Sequence, residues 1–376
     1  MNLFDVYPLI NVTPTKALGA ALWDENGEQY LDLYGGHAVI SIGHCHPHYN
    51  QRIQEQMNLI SFYSNSVHIP IQRQLAQKLG EVSGYPDFQL FLCNSGAEAN
   101  ENALKLASFA TGKSGFISFS GAFHGRTAGA VVLTDNPKIV APSNQRPDAY
   151  ILPWGDISAV REQMAKGDIA GIIVEGIQGV GGIQVPDPDF LMTLSELTKK
   201  HGAKLILDEV QSGYGRTGKF FAHQWVEGLV PDLITTAKGM GNGFPIGGVL
   251  IHPDFKASHG LLGTTFGGNH LACAAGMAVL EVLENENLMD HASKTGEYLV
   301  AELSKIEAVK DIRGKGLMIG IDLDRDAGPV RSELVNTYKI FTGSAAKKQT
   351  IRILPPLNIT QIQLSSFIES LKKILN

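Results

Sequence analysis

"DLITTAKGMGNGFPIGG", residues 232–248, puts a single lysine at the end of an apolar run and follows it with five glycines within ten positions. A solvated lysine ordinarily keeps its ammonium in water among polar neighbours. Lys238 instead comes straight after "DLITTA" (232–237), which reads as a buried strand, and the backbone beyond it is nearly bare of side chains. Two upstream runs have the same form: "AGIIVE" (170–175) ends on Glu175, and "AKLILDE" (203–209) carries Asp208 at its end. "FQLFLC" (88–93), "GFISFS" (115–120), "AYILP" (149–153) and "GGVLIH" (247–252) complete a series separated by stretches long enough for crossover helices. Nearly continuous apolar strands so spaced predict an α/β fold with a mainly parallel sheet covered on both faces. Open parallel sheets bind ligands beyond the carboxyl ends of their strands. Glu175, Asp208 and Lys238 are therefore expected to face one crevice.

Past residue 270 the pattern changes. "LACAAGMAVLEVLENENL" (271–288) reads as one long helix, followed by strand-like "KGLMIGIDL" (315–323) and "TIRILPPL" (350–357). A final helix is expected from Thr360, where T-x-x-Q to Gln363 makes a capping box and Leu364, Phe367, Ile368 and Leu371 share one face. The expected division is a large domain over 46–270, a smaller α+β domain over 271–376, and an N-terminal segment, 1–45, containing a hairpin that packs with the smaller domain.

Bulk composition narrows the function. With 376 residues, 44% hydrophobic and 18% charged, the chain is globular rather than disordered. A net charge of −6 without a basic run argues against nucleic acid or an anionic membrane as the main partner. Three scattered cysteines, Cys45, Cys93 and Cys273, suggest a reducing compartment. The N-terminus shows no signal-peptide pattern, and no apolar run approaches the roughly 20 residues of a membrane span. A soluble cytoplasmic protein is expected.

Three tempting motifs fail on physical grounds. "GYGRTGKF" (213–220) satisfies G-x-G-x-x-G, but "DEVQS" separates it from its strand, no helix is expected to begin at Gly218, and Phe220 stands where a phosphate loop needs Ser or Thr. A glycine-rich turn is the better reading. "GHCHPH" (43–48) is too tightly spaced to wrap a tetrahedral metal site and reads as a turn opening a helix. No G-x-S-x-G follows a strand, which leaves serine-hydrolase chemistry without a nucleophile.

A different constellation survives. In "FLCNSGAEANENALKLASFA" (91–110) a strand stops and Ser95 and Glu98 form a capping box that opens an alanine-rich helix. Gly96 and Ala97 occupy its first turn, where free backbone amides and the helix dipole can hold a phosphate. Asp208, ending a strand, can pair with a protonated pyridine nitrogen. Lys238, in an apolar glycine-lined site, has the depressed pKa that lets its amine form a Schiff base with an aldehyde. Phosphate cradle, strand-end aspartate and strand-end lysine, in that order, describe a pyridoxal-phosphate site.

Here the chain resembles a family. "CNSGAEANENALKLA", "GAFHGRTAGA", "LILDEVQSGYGRTGKFFA", "TTAKGMGNGFPIGG" and "GTTFGGNHLACAAG" are similar to the class III, or ω-, aminotransferases of the fold-type-I pyridoxal-phosphate enzymes, and most like the acetylornithine and succinylornithine aminotransferases. The resemblance implies that Lys238 is the Schiff-base lysine and proton shuttle and Asp208 the partner of the ring nitrogen. It further implies that Val210 and Phe123 pack on the two ring faces, Gln211 reaches the phenolic oxygen, and Gly96 and Ala97 bind the phosphate. Thr265 would reach the phosphate of a neighbouring subunit's cofactor, with Thr264 beside it near that substrate, so a homodimer is implied. Arg126 would hold the distal carboxylate of the substrate and Arg352 the α-carboxylate of glutamate. The implied reaction moves the δ-amino group of N-acetylornithine or N-succinylornithine to 2-oxoglutarate, a step of arginine metabolism; ornithine or 4-aminobutyrate is the alternative donor. Outside transamination, an aminomutase would work without 2-oxoglutarate, and an oxidoreductase would bind a nicotinamide nucleotide.

Two positions depart from the family pattern. Val180 in "VEGIQGVGG" (174–182) stands where relatives usually carry a second glutamate that neutralises the arginine matched by Arg352. His37 in "YGGHAV" replaces an aliphatic pocket residue. With Arg352 left free, His37 is expected to favour a donor with an extra carboxylate, N-succinylornithine over N-acetylornithine.

Overall fold

The computed structural model describes residues 1–375. Along the chain come β1 (Pro14–Leu18), β2 (Ala21–Asp24) and β3 (Gln29–Asp32), then β4 (Gln89–Cys93), β5 (Gly115–Phe119), β6 (Ala149–Leu152), β7 (Ile169–Glu175), β8 (Lys204–Asp208), β9 (Leu233–Thr236) and β10 (Gly247–Ile251). β11 (Val309–Lys315), β12 (Met318–Leu323), β13 (Ile340–Phe341), β14 (Gly343–Ser344) and β15 (Thr350–Ile353) follow.

The seven strands from β4 to β10 form one sheet in the order β4-β10-β9-β8-β7-β5-β6. Only β10 runs against its neighbours, so the sheet is mainly parallel, as the apolar runs predict. Side chains alternate between the faces. Leu205 and Leu207 pack with Val160, Phe190 and Leu194 of the helices Ile157–Ala165 and Pro188–His201. Ile206 packs on the other side with Ala99, Ala103 and Ala107 of the helix Gly96–Thr111. Small alanines let that helix lie close to the sheet and bring its first turn over the strand ends.

Register decides where the site lies. Glu175 pairs with Asp208 across β7 and β8, and Asp208 pairs with Thr235 across β8 and β9. Two carboxylates therefore end adjacent strands at one edge of the sheet, and Lys238 follows just past Thr235.

A four-stranded sheet, β11-β12-β15-β14, builds the C-terminal part, backed by the helix Gln361–Leu375. The N-terminal stretch is a three-strand antiparallel meander rather than a hairpin alone, and β3 pairs in parallel with β13, which ties the two ends of the chain together. Two sequence expectations need correction. The long helix ends at Asn285, because Asn287 turns left-handed and starts a second helix, Leu288–Leu303. "KGLMIGIDL" is not one strand: a turn at Gly316 and Leu317 separates the end of β11 from β12. The helix His270–Asn285 buries ten of its residues, which explains its apolar run; it packs between the helix Pro70–Ser83 and the C-terminal part. No helix among the described residues is long and apolar enough to cross a membrane.

Candidate active site

Beyond the carboxyl ends of β7, β8 and β9 lies a cavity of about 400 Å³, lined by Gly96, Ala97, Asn100, Phe123, His124, Arg126, Glu175, Val180, Asp208, Val210, Gln211 and Lys238 among others. The three strand-end residues meet here, as expected. Lys238 is left-handed at φ 42° and opens a single turn of 3-10 helix, a conformation a non-glycine residue adopts at a cost of about 1 kcal/mol or more. Its side chain is half-buried and lines the cavity, and its ammonium has no hydrogen-bond partner or counter-ion among the described residues. Burial pulls its pKa below the ordinary lysine value and nearby Arg352 adds to this, while Asp208 and Glu175 oppose it.

Asp208, only 4% exposed, is kept ready as an acceptor by three donors. Asn100 Nδ2 (2.7 Å) and His124 Nδ1 (2.8 Å) bond Oδ2, and the Val210 amide bonds Oδ1 at 3.0 Å. Asn100 is held in turn by the Thr235 hydroxyl, at 2.6 Å from its Oδ1. His124 Nε2 is buried without a partner among the described residues. Asn100 and His124 are absent from the sequence-derived set. The signals were there: His124 adjoins Phe123, and Asn100 is a polar residue one helical turn past Gly96 on a buried face.

At the helix Gly96–Thr111, Ser95 accepts the Glu98 amide at 3.1 Å. The expected box closes one residue early, because the Glu98 carboxylate takes the amide of Asn94 (2.7 Å) instead of that of Ser95. The amides of Gly96 and Ala97 have no protein acceptor among the described residues and border the cavity. A Cβ at position 96 would stand 2.5 Å from Val210 Cγ1, so only glycine lets the helix start come so close to that wall.

Glu175 is buried, with Oε1 accepting the Phe123 amide (3.1 Å) and Oε2 that of Gly179 (2.9 Å). Burial pushes its pKa up to about 7, against the pull of His124 and the two amides. It thereby fixes the Phe123 wall and the loop that carries Val180.

Arg352 stands on β15 beyond Gln211, just outside the lining. It is 4% exposed and has no carboxylate partner among the described residues. Nη1 donates to Gln211 Oε1 (3.3 Å), Nε to the Ser344 carbonyl (2.5 Å), and the guanidinium lies 5.9 Å from the centre of the Tyr34 ring. Burial lowers its pKa from the ordinary arginine value. Glu175 is the acid that acts on it through space, Val180 bringing none, and Gln211 is its polar neighbour toward the cavity.

His37 lies on a left-handed turn, Gly35–Ala38, and its ring Nδ1 meets the Tyr34 hydroxyl. Its carbonyl accepts from Gln211 Nε2 at 3.2 Å. Arg126 lines the cavity mouth, exposed and without a hydrogen bond or ion pair among the described residues. Like Arg352, His37 is not among the residues that line the cavity, and Thr264 and Thr265, expected at a neighbouring subunit's site, also lie apart from it. Thr264 bonds Asn94 Nδ2 (3.3 Å) and the Gly267 amide (3.1 Å) in a neighbouring groove, and Thr265 is exposed.

The rejected motifs behave as ordinary structure. "GYGRTG" is a string of turns. In "GHCHPH" the three histidines bond separate carboxylates, Asp32, Glu286 and Glu281, and no group of three or more potential ligands is placed to hold a metal among the described residues.

A family model described as aminotransferase class-III matches residues 5–375. Acetylornithine aminotransferases of Archaeoglobus fulgidus and Bacillus subtilis are 40% and 39% identical to this chain, covering 98% and 100% of it and 96% and 97% of their own lengths. The structure of acetylornithine aminotransferase from Elizabethkingia anophelis superposes with a TM-score of 0.84 at 29% identity, covering 98% of this chain and 94% of that one. Ornithine aminotransferase from Toxoplasma gondii gives 0.90 at 29% identity, covering 97% and 90%. Continuous from the first strands to the last helix, and so through the β8 and β9 ends that deliver Asp208 and Lys238 to one cavity, this match makes the chain a member of the class-III aminotransferases.

Proposed function

We propose that the chain is a pyridoxal-phosphate-dependent transaminase that moves the δ-amino group of N-acetylornithine, or N-succinylornithine, to 2-oxoglutarate. The carrying observation is that an unpaired Lys238 and a hydrogen-bonded Asp208 face one cavity, with a buried arginine lacking a carboxylate partner next to it. The cofactor fits these residues. Two free amides at a helix start suit its phosphate, and the three donors on Asp208 hold a carboxylate in place that could pair with a protonated ring nitrogen. When bound, pyridoxal phosphate supplies an aldehyde that can carry the amino group and a ring that accepts electrons from the carbon losing its proton.

The chain's own residues do the remainder. Lys238, with its lowered pKa, spends more time as the neutral amine that can bond the aldehyde or take and return a proton. Val210 and Phe123 line the cavity and would wall the ring, and Gln211 would extend its amide beside it. Arg352 and Arg126 offer two guanidinium groups, enough to grip both carboxylates of 2-oxoglutarate. For an acylated donor, Arg126 holds the α-carboxylate while Arg352 retains Gln211.

Assembly belongs to the same proposal. Met57, Leu59, Phe62, Tyr63 and Phe266 are exposed, with the tilted rings of Phe62 and Phe266 5.4 Å apart, beside Thr264 and Thr265. An apolar face of that kind supports a homodimer in which Thr265 serves the partner's cofactor. The pairing of β3 with β13 supports a division into 46–270 and a smaller part built from 1–45 and 271–376. Free, mostly buried cysteines agree with a cytoplasmic location.

The test is a donor panel: glutamate formed from 2-oxoglutarate with N-acetylornithine, N-succinylornithine, ornithine and 4-aminobutyrate. An acylornithine should have the highest kcat/KM. Unacylated ornithine as the best donor would select the second reading, which the fold likeness to ornithine aminotransferase supports.

A further inference from the structure

The G-x-G-x-x-G run at 213–218 lies outside the cavity, yet its arginine is the largest fully buried side chain among the described residues. Its glycine spacing answers to packing, not phosphate. Gly215 and Gly218 are left-handed, at φ 81° and 88°, and a Cβ on either would stand about 3 Å from Met289 or Ser293 of the helix Leu288–Leu303. The loop is thereby pressed inward, and Arg216 points into the protein.

There the guanidinium meets only carbonyls. Nη1 donates to Pro355 (2.5 Å) and Leu317 (3.2 Å), and Nη2 to Ile40 (3.2 Å). The Leu317 amide returns a bond of 2.9 Å to the Arg216 carbonyl. No carboxylate among the described residues pairs with this cation; Asp32, the acid that acts on it through space, is bonded to the Tyr34 and Gly35 amides and to His44. Burying a charge against carbonyls alone is costly, so geometry is what the arrangement secures.

The three carbonyls come from informative places. Ile40 follows the left-handed turn that presents His37, and Pro355 follows β15, which carries Arg352. These two segments run side by side, joined by Leu354 N to Leu33 O (2.8 Å) and Leu357 N to Ser41 O (2.7 Å). Arg216 itself continues the connection that leaves β8 through Asp208 and Gln211. One side chain thus fastens the segments bearing Arg352 and His37 to the strand end bearing Asp208.

We propose that Arg216 is a positioning residue for substrate recognition, setting where Arg352 and the 35–40 turn stand relative to Lys238 while touching neither substrate nor cofactor. This rests on the reading of Arg352 as a carboxylate anchor. Arg216→Lys keeps the charge but loses the fork, and Arg216→Gln loses both. In holoenzyme of either variant, KM for 2-oxoglutarate should rise about tenfold, with kcat within about threefold and cofactor affinity unchanged. Activity toward a propylamine donor, which has no carboxylate, should stay at the parent level in the first half-reaction. A purely structural role would instead lower the melting temperature and leave KM alone.

An unchanged KM in a folded variant, a fall in kcat at constant KM, or failure of both variants to fold would overturn the proposal, the last by making Arg216 a determinant of the fold. Arg352→Ala, measured alongside, separates the two readings. If it leaves KM for 2-oxoglutarate unchanged, the anchor assignment falls. If it raises KM and Arg216→Lys does not, only the positioning role falls.

Discussion

Lys238 and Glu175 face the same cavity, and burial moves their proton affinities in opposite directions, as it must for a cation and an anion. The effect at Glu175 is measurable. Its pKa rises from 4.5 to about 7 on folding, so between those values the folded chain binds more protons than the unfolded one and stability falls as pH rises. The full contribution is about 3 kcal/mol. Glu175→Gln cannot ionise and lacks this fall. In urea unfolding of cofactor-free protein, the variant should therefore gain on the parent between pH 5 and 7.5, and parallel pH curves would contradict the assignment. His37 is a weaker case. Burial, with Arg352 and Lys238 nearby, lowers its pKa and favours a neutral ring, so any preference for a succinyl carboxylate rests on a hydrogen bond rather than on charge. His37→Ile should reduce the succinyl-to-acetyl ratio of kcat/KM by a factor of about five to ten, the worth of one such bond. An unchanged ratio would leave His37 with a space-filling role.

Elements whose formation depends on their own residues were legible in the sequence. Buried strands show as apolar runs, and the last helix shows its cap. Thr360 and Gln363 form both halves of the box: the Thr360 amide donates to Gln363 Oε1 (3.0 Å) and the Gln363 amide to Thr360 Oγ1 (3.2 Å). Thr360→Ala should cost about 1 kcal/mol in equilibrium unfolding. No change would mean that packing of Leu364, Phe367, Ile368 and Leu371 alone sets the helix start. What depends on remote partners was not legible. The break at Gly316 and Leu317 belongs to a hairpin fastened by Arg216, a hundred positions away; Gly316, left-handed at φ 55°, is its one local mark. The left-handed turn at Gly35–Ala38 is held by the Asp32 carboxylate and by Gln211, so its geometry cannot be read from "YGGHAV". Asn100 and His124 carry only weak local signals, since their importance comes from meeting Asp208.

At the scale of the whole molecule, the parallel sheet fixes Asp208 and Lys238 by register, and the C-terminal sheet contributes Arg352 from a different part of the chain. In the proposed function the amine chemistry falls to residues at the large sheet, and carboxylate recognition uses Arg126 there together with Arg352 from a second sheet, joined to the first through Gln211 and Arg216. Such a division suits an enzyme that must accept two different substrates in turn at one lysine. The most direct measurement of that claim is a single half-reaction. Holoenzyme is mixed with N-acetylornithine, and separately with N-succinylornithine, without 2-oxoglutarate, while the cofactor's absorbance is followed. A change with an acylornithine that reverses on adding 2-oxoglutarate, with one glutamate released per site, is the predicted result. An absorbance that neither compound alters would contradict the acylornithine assignment.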